Sequence, residues 1–296
     1  MVKPQLTTPQ LMWLVASSLL PGLLVATLYF GHTILLNCAV AVGVCLLADI
    51  FSTRNPRIVS DGSATVTGLL IGLSLPPSIP LHLVALAGLA AILLGKVVFG
   101  GLGKNTFNPA MVGYALVLVA FPEDLTHFDA TTGATALDVL SHRGGITVGE
   151  ASRSPVFGDF GALGYEYVNV AFLGTGLFLV GFRIIPWYLP LGMLVGLALP
   201  ALLFYDSGSS ASLGSPLFHL FAGGTMLAAF YVVTDPVTAP RSVGAKILFA
   251  TGIGCFTLII RAFGAWPDGI AFAVLLGNAF VPLLDKIPFR RRLPTS

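Results

Sequence analysis

The stretch DGSATVTGLLIGLSLPP, residues 61–77, decides the fold class of this 296-residue chain. It is an apolar run that starts at an aspartate and stops at two adjacent prolines, which end helices because proline lacks an N–H and crowds the preceding turn. A second interrupted run, HLFAGGTMLAAFYVVTDPVTAP, covers residues 219–240. Broken apolar helices of this kind are typical of polytopic membrane proteins, where the freed backbone groups line a cavity.

The composition of the whole chain supports that class. Hydrophobic residues make up 55% and charged residues 9%, whereas about one residue in four is charged in ordinary soluble domains. A water-soluble globule is therefore excluded. The net charge of +2 is too weak for a nucleic-acid partner. The three cysteines stand singly in apolar runs, so we expect no disulfide framework and no metal site, and no nucleophile triad emerges either.

Ten apolar runs are long enough, or nearly long enough, to cross a bilayer as helices. The first follows only Lys3, without a small-residue cleavage site, and is interpreted as a retained span rather than a signal peptide. We predict an all-α polytopic protein with about ten transmembrane helices, some of them broken. The runs are 11–31, 33–50, 63–75, 81–99, 109–121, 167–185, 187–205, 217–234, 243–261 and 268–284.

The positions of the basic residues predict the orientation, because cytoplasmic loops of membrane proteins hold an excess of Lys and Arg. With a cytoplasmic N-terminus, twelve basic residues fall inside and only Arg143, Arg153 and Arg261 fall outside. The long segment 122–166 then lies outside, with seven acidic residues and two arginines. In a bacterium this segment is periplasmic, and both termini face the cytoplasm.

An internal repeat is suggested when the chain is aligned with itself at an offset of 160 residues. This offset aligns Pro76 with Pro236, Pro80 with Pro240 and Pro122 with Pro282 without a gap. Five crossings in each copy force the second copy to insert upside down. The alternative is that these prolines only end helices at the membrane surface. The predicted organisation is a first five-helix repeat over 1–121, a periplasmic segment over 122–166, an inverted repeat over 167–285 and a basic cytoplasmic tail over 286–296.

Polar residues beside the predicted helix breaks are candidates for an ion path, since polar groups at membrane depth are costly. Asp61 and Asp235 occupy similar positions in the two broken runs, and Asn108 aligns with Asp268 at the repeat offset. Oxygen ligands at helix breaks suit a proton or a small hard cation. The alternative is that the two aspartates only cap helix ends in the headgroup region.

One short string in the outer segment is a candidate modification site. The chain reads DATTGATALD from Asp129 to Asp138, which has the spacing Asp-x-x-Ser/Thr-Gly-Ala-Thr of proteins to which a flavin transferase attaches FMN through a phosphate ester on the last threonine. We expect such a hydroxyl to lie on exposed, extended chain that the transferase can reach. The alternative is an ordinary polar turn, which Thr-Thr-Gly would also suggest. The candidate residues are Asp129, Thr132, Gly133, Ala134 and Thr135.

Taken with that string, several longer stretches resemble the D subunits of Rnf ion-translocating oxidoreductase complexes, which are related to the B subunit of the sodium-pumping NADH:quinone oxidoreductase. The similarity covers about residues 11–285. It is carried by the stretch at 61–77 and by GGLGKNTFNPAMVGYALVLVAFP at 100–122, GGTMLAAFYVVTDPVTA at 223–239 and RAFGAWPDGIAFAVLLGNAFVPLLD at 261–285.

The resemblance implies a function and partners. Thr135 matches the family's flavinylated threonine, with the FMN on the periplasmic side, and some members hold a second, non-covalent riboflavin. The implied activity is that of a translocase subunit in the bacterial inner membrane, which couples ferredoxin- or NAD-linked electron transfer to movement of sodium ions or protons. Implied partners are iron–sulfur and flavin subunits, a flavin transferase and lipid. Two other classes remain open from the residues alone, a solute channel or transporter and a structural anchor.

Overall fold

The computed structural model describes residues 6–54, 60–126, 135–264, 266 and 268–288, and every regular element in this part of the chain is helical. Each of the ten predicted apolar runs contains helix. The helices are α1 Thr8–Phe30, α2 Thr33–Thr53, α3 Ser63–Ser74, α4 Leu81–Ile92, α5 Pro109–Ala120, α6 Pro122–Thr126, α7 Ala136–Ser141, α8 Val148–Ala151, α9 Tyr165–Gly181, α10 Tyr188–Leu203, α11 Pro216–Phe221, α12 Thr225–Leu227, α13 Val243–Phe263 and α14 Ile270–Leu284.

Two π-helical turns extend α4 and α12, over Leu93–Val97 and Ala228–Val232. The helices α1, α2 and α13 are each long and apolar enough to cross a membrane, and α3, α4 with its π turn, α5, α10 and α14 are shorter apolar helices. The all-α prediction is confirmed for the described residues. The number of crossings stays a prediction.

Local sequence sets several of the helix ends. Asn108 caps α5 by accepting a hydrogen bond from the Met111 N–H at 3.3 Å, and Pro109 occupies the first turn, where its missing N–H costs nothing. Helix α3 ends at Ser74, just before the Pro76-Pro77 pair that predicts a helix end in the sequence. The second broken run is divided at Gly223-Gly224, between α11 and α12.

Small residues let the helices pack closely within the first half of the chain, α1–α5, and within the second half, α9–α14. Gly68 and Gly72 of α3 face the backbone of α2 so tightly that a Cβ at either position would lie 2.5 Å from the Cα of Val42 or Cys38. In the second half, a Cβ on Gly196 of α10 would lie 2.1 Å from the Thr251 carbonyl oxygen of α13. Glycines four residues apart permit such close approach of helix backbones within a membrane.

Two helix pairs join the halves of the chain, since α1 packs against α9 and α5 packs against α14. Buried side chains from both halves belong to one hydrophobic core. The segment between the halves has a small core of its own, which includes Leu137, Leu140 and Phe157. It is tied to the loop after α10 by Arg143, which donates to the carbonyl oxygens of Ser210 and Ser212. These contacts hold α7, and with it Thr135, against the helix ends.

Candidate cofactor cavity and buried charges

A cavity lies between the two halves of the chain, at the end where the segment with α6–α8 packs. The void measures about 120 Å³. When all the empty space between the lining residues is counted, including the part that opens to solvent, the volume is about 1150 Å³. An enclosed apolar cavity of about 150 Å³ holds a benzene ring, and ligand clefts measure about 300–1,000 Å³. Aromatic side chains of both halves form much of the wall, namely Phe30, Tyr114, Tyr165 and Phe172.

Thr135, the predicted attachment residue, lines this cavity. Its backbone is extended (φ −70°, ψ 157°), and its hydroxyl oxygen accepts a hydrogen bond from the Asp138 N–H at 3.3 Å as the N-cap of α7. The expectation of extended chain is met at this residue, but the expectation of full exposure is not, because the side chain is half-buried against the cavity. Asp129, Thr132, Gly133 and Ala134 lie outside the described residues.

Asn169 of α9 also lines this cavity. Its amide nitrogen donates to the carbonyl oxygens of Gly223 at 2.8 Å and Tyr165 at 2.9 Å, and its amide oxygen accepts from the Met226 N–H at 2.8 Å. All three bonds are made by a side chain that is 1% exposed. Asn169 therefore fixes the glycine break between α11 and α12, where backbone groups would otherwise lack partners.

Asp268 lines the same cavity and pairs with a buried arginine. Arg261 donates to its Oδ1 atom from Nε at 3.2 Å and from Nη2 at 3.0 Å, while Oδ2 accepts from the Gly224 N–H at 3.1 Å. Gly223 has a φ of +56°, and a Cβ there would lie 2.3 Å from Asp268 Oδ2. A glycine is therefore required at this position for the carboxylate to reach the helix break.

Further hydrogen bonds fix the Arg261 guanidinium. It donates to the carbonyl oxygens of His219 and Ala222, at 2.9 and 3.2 Å, and to the Thr225 hydroxyl at 3.0 Å. The Arg261 side chain is 0% exposed and that of Asp268 is 22% exposed. A guanidinium whose three nitrogens all donate hydrogen bonds places a positive charge behind the cavity wall, because arginine keeps its proton in proteins.

The other predicted residues lie elsewhere. Asn108 donates its backbone N–H to the Asn278 amide oxygen at 3.0 Å, and Asn278 donates in turn to the Thr238 carbonyl oxygen at 3.3 Å. Asn108 is thus paired with a residue of the second half, and it does not line the cavity that holds Asp268. The repeat offset that aligns Asn108 with Asp268 therefore relates two positions with different surroundings.

Asp61 and Asp235 both accept from backbone N–H groups two residues ahead. Asp61 Oδ1 accepts from Ser63 at 2.7 Å, and Asp235 Oδ1 accepts from Val237 at 3.0 Å. These bonds are local turns rather than helix caps, because the N-cap of α3 is Gly62, which has no side-chain cap, and no described helix starts at Asp235. Both aspartates are described, and no hydrogen bond or ion pair joins them to each other. Their role in an ion path stays a prediction.

A second ion pair, buried on both sides, lies away from the cavity. Lys96 Nζ, in the π turn after α4, contacts Asp49 Oδ2 of α2 at 2.6 Å and donates to the Ser63 hydroxyl at 2.9 Å. Sequence reasoning missed Asp49, Lys96, Arg261 and Asn169. A signal was present, because each is a polar residue inside or beside an apolar run, where charges are rare and usually paired.

Comparison with known proteins places the sequence in a family. Residues 1–293 match the model of the NQR2, RnfD, RnfE family. The chain is 44% identical over 307 residues to the D subunit of the ion-translocating oxidoreductase complex of Pseudomonas aeruginosa (strain UCBPP-PA14), covering 94% of this chain and 89% of the relative.

Two further relatives carry the same description. The protein of Cellvibrio japonicus (strain Ueda107) is 40% identical over 315 residues, covering 94% of this chain and 88% of the relative. That of Alcanivorax borkumensis is 40% identical over 297 residues, covering 90% of this chain and 86% of the relative. Each match covers nearly the full length of both chains.

Proposed function

The chain belongs to the NQR2, RnfD, RnfE family, and on that premise we propose that it is a membrane subunit of an ion-translocating electron-transport complex. We propose further that FMN is esterified through its phosphate to Thr135, and that electron transfer through this flavin drives sodium ions or protons across the inner membrane. The relatives described above are named as subunits of ion-translocating oxidoreductase complexes.

The observation that supports the flavin proposal is the position of Thr135 on a cavity shared by both halves of the chain. The sequence motif selects this hydroxyl without reference to any cavity, and the fold independently brings it to one. Aromatic walls suit a flat heteroaromatic ring, and polar groups at the glycine break suit its edge. The chemistry of the lining therefore suits the group that the motif implies. The flavin ring would have to occupy the part of the space that opens to solvent, because the void of about 120 Å³ is smaller than a benzene-sized cavity of about 150 Å³.

Each cavity residue would have a defined task. Thr135 would hold the phosphate, Phe172 and Tyr114 would bound the ring, and Asn169 would keep the glycine break in shape. Asp268, held by Arg261, would present a fixed carboxylate to the cofactor. A bound flavin supplies the ability to take up two electrons and release them singly, which links one-electron iron–sulfur carriers to two-electron carriers.

The helix packing supports the proposed inverted repeat. At the offset that aligns Pro76 with Pro236, α1 corresponds to α9 and α5 to α14, and these are the pairs that pack between the halves. A two-fold axis requires its contacts to be of this self-matching kind. The contact of α1 with α3 also has its counterpart in that of α9 with α12. These pairings favour two related five-helix units, and an odd number of crossings in each unit would give them opposite orientations.

The proposed setting follows from the charge distribution. Both termini face the cytoplasm, and the segment with Thr135 faces the periplasm, where a flavin transferase would modify it. Iron–sulfur and flavin subunits of the complex would exchange electrons with the bound FMN. A non-covalent riboflavin remains part of the proposal without assigned contacts. The alternatives, a plain solute transporter or a structural anchor, need no flavin.

A denaturing gel tests the flavin proposal directly. The complete complex is expressed with its flavin transferase, and the chain is expected to fluoresce under ultraviolet light after denaturation. Thr135→Asn should abolish the signal, because asparagine keeps a helix N-cap but offers no hydroxyl. Thr147 is the matched control, since it caps α8 as Thr135 caps α7. Thr147→Val should keep full fluorescence.

Two outcomes would contradict the proposal. A wild-type chain without fluorescence, or a Thr135 peptide found unmodified by mass spectrometry, would exclude the esterified flavin and favour a transporter or an anchor. Undiminished fluorescence in Thr135→Asn would place the attachment on another residue.

A further inference from the structure

The ion pair of Lys96 and Asp49 has an unusual location. It lies at the ends of α2 and α4 and the start of α3 that are predicted to face the cytoplasm, and the Ser63 hydroxyl at the first turn of α3 completes it. The side chains of Lys96 and Asp49 are only 4% and 1% exposed. Charged groups enclosed by apolar helices are rare in membrane proteins and mark ion or proton pathways.

One oxygen of this site is free to bind something else. Asp49 Oδ2 contacts Lys96, but Asp49 Oδ1 is buried without a hydrogen-bond partner among the described residues. An ionised carboxylate accepts several hydrogen bonds, and leaving one oxygen bare in an apolar site is unfavourable. A purely structural ion pair would be expected to satisfy both oxygens.

The ion pair at the cavity offers a comparison within the same chain. Arg261 donates to the Thr225 hydroxyl at the first residue of α12, as Lys96 donates to the Ser63 hydroxyl at the first residue of α3. Both oxygens of Asp268 are bonded there, in contrast to Asp49. The cations also differ, because an arginine keeps its proton whereas a buried lysine can lose one.

The backbone around Lys96 is also irregular. Lys96 lies in the π turn Leu93–Val97, and π turns occur often at functional sites. A Cβ on the neighbouring Gly95 would lie 2.7 Å from the Cα of Pro109, so this turn packs directly on the start of α5. Among the described residues, titratable groups beside this pair include Cys45, one turn before Asp49 on α2, and Asp61, whose Oδ1 accepts from the Ser63 N–H.

We infer that Asp49, Lys96 and Ser63 form an exchange site for a small monovalent cation, a sodium ion or a proton, at the cytoplasmic end of the ion path. This inference rests on the proposed ion-translocating function and names the residues that would serve it. Carboxylate and hydroxyl oxygens are ligands suited to such a hard cation. Asp49 Oδ1 provides the first contact, because it is the atom without another partner.

The exchange conserves charge and atoms. When a sodium ion binds the carboxylate, one N–H bond of the Lys96 ammonium breaks and that proton leaves to water, so that a neutral amine and a sodium carboxylate replace the ion pair. When the incoming cation is a proton, an O–H bond forms at Asp49 Oδ1 and the Lys96 ammonium again releases one proton. The net charge of the site is unchanged in both cases, as a buried site of low dielectric requires.

Carbodiimide labelling tests whether the carboxylate exchanges. Dicyclohexylcarbodiimide reacts with protonated carboxyl groups in apolar surroundings, so we expect Asp49 in the assembled complex to be labelled in choline chloride at mildly acidic pH, where a proton takes the cation's place at Oδ1. If the site binds sodium, sodium chloride should protect it. At ten times the concentration that halves labelling, labelling should be about tenfold lower. If the site binds only a proton, sodium chloride should have no effect on labelling, and labelling should fall about tenfold for each rise of one pH unit. Absence of labelling under all these conditions would overturn the inference.

Substitutions then separate exchange from structural support. Lys96→Arg keeps the charge pair but cannot release its proton, so cation uptake by vesicles should fall at least about tenfold. The double variant Asp49→Asn with Lys96→Met removes both charges and should also lack uptake. Full uptake by both variants would mean a purely structural pair. Arg241, an exposed residue whose Nε lies 4.0 Å from Asp285 Oδ2, is the control, and Arg241→Gln should transport normally.

Gel fluorescence keeps this test separate from that of the flavin. Each variant should retain the Thr135 signal and the yield of assembled complex, which shows that the chain has folded and been modified. If the double variant fails to assemble, the labelling of the unmodified chain still decides the inference. Labelling of Asp49 without any flavin signal would leave the exchange site standing while the flavin proposal failed.

Discussion

Buried Arg261 and partly exposed Asp268 form an ion pair in the wall of the cavity that Thr135 lines, with Arg261 Nε and Nη2 lying 3.2 and 3.0 Å from Asp268 Oδ1. The same guanidinium ties down the carbonyl oxygens of His219 and Ala222, which end α11. One side chain thus links the end of α13, the glycine break and the start of α14. The shape of the cavity depends on this link.

Substitution of Arg261 should therefore strongly destabilise the chain. In Arg261→Met, Asp268 Oδ1 loses both of its donors, while Oδ2 keeps the Gly224 N–H and the carbonyl oxygens of His219 and Ala222 keep only the Thr225 hydroxyl. Breaking a buried pair from one side costs about 3–5 kcal/mol, an upper figure here because Asp268 is 22% exposed. We expect a large fall in thermal stability in detergent, measured by unfolding of the purified chain. Arg241→Met removes an arginine that is 95% exposed and should change the unfolding temperature little. Equal stability of the two variants would contradict the role given to Arg261.

Substitution of Asn169 should also destabilise the chain, because it removes hydrogen bonds rather than a charge. Asn169→Leu is similar in size but leaves the Gly223 carbonyl oxygen and the Met226 N–H unpaired, each at a cost of about 1–3 kcal/mol. Hydrogen exchange should accelerate at residues 223–226. Gly174→Ala on the same helix is the control, since a Cβ there meets nothing within 4 Å. Unchanged exchange in Asn169→Leu would show that the glycine break holds without the amide.

Glu166 anchors the start of α9. Its two carboxylate oxygens accept from the backbone N–H groups of Asp159, Phe160 and Gly161 at 2.9–3.1 Å, and the residue is 1% exposed. Glu166→Gln replaces one acceptor oxygen by a donor that faces N–H groups, and hydrogen bonds to charged groups are worth about 1.5–3 kcal/mol each.

The expected result for Glu166→Gln is faster proteolytic cleavage near residue 160 and a lower unfolding temperature. Glu123, which is exposed on α6, provides the control. Glu123→Gln should resist cleavage as the wild type does. Equal cleavage rates in both variants would mean that the three amide contacts do not hold this segment.

Close packing between α2 and α3 gives a steric prediction. Gly68→Ala would place a Cβ 2.5 Å from the Val42 Cα atom, so the two helices must separate and the chain should lose stability. Gly252→Ala on α13 meets nothing within 4 Å and should be neutral or slightly stabilising, because alanine favours helix by about 1 kcal/mol over glycine. Thermal unfolding in detergent compares the pair. A Gly68→Ala variant as stable as Gly252→Ala would refute the tight contact.

Much of the fold could be predicted from the residues alone. The ten apolar runs all contain helix, and the prolines at positions 76 and 77 stand where α3 ends. The attachment motif also directed attention to Thr135, and its hydroxyl proves to line a cavity. Exposure at Thr135 was predicted wrongly, because the motif describes what a transferase recognises and contains no information on which helices pack beside it.

The sequence by itself determined the class of the protein and the positions of its helices. Both follow from local rules, since hydrocarbon excludes unpaired backbone groups and favours uninterrupted apolar helix between caps and prolines. Only the tertiary structure decided which polar groups meet. Asp49 and Lys96 are 47 residues apart in the chain, and Thr135 shares a cavity with Asp268. Such pairings depend on how the helices rotate and cross, and no single helix encodes that geometry.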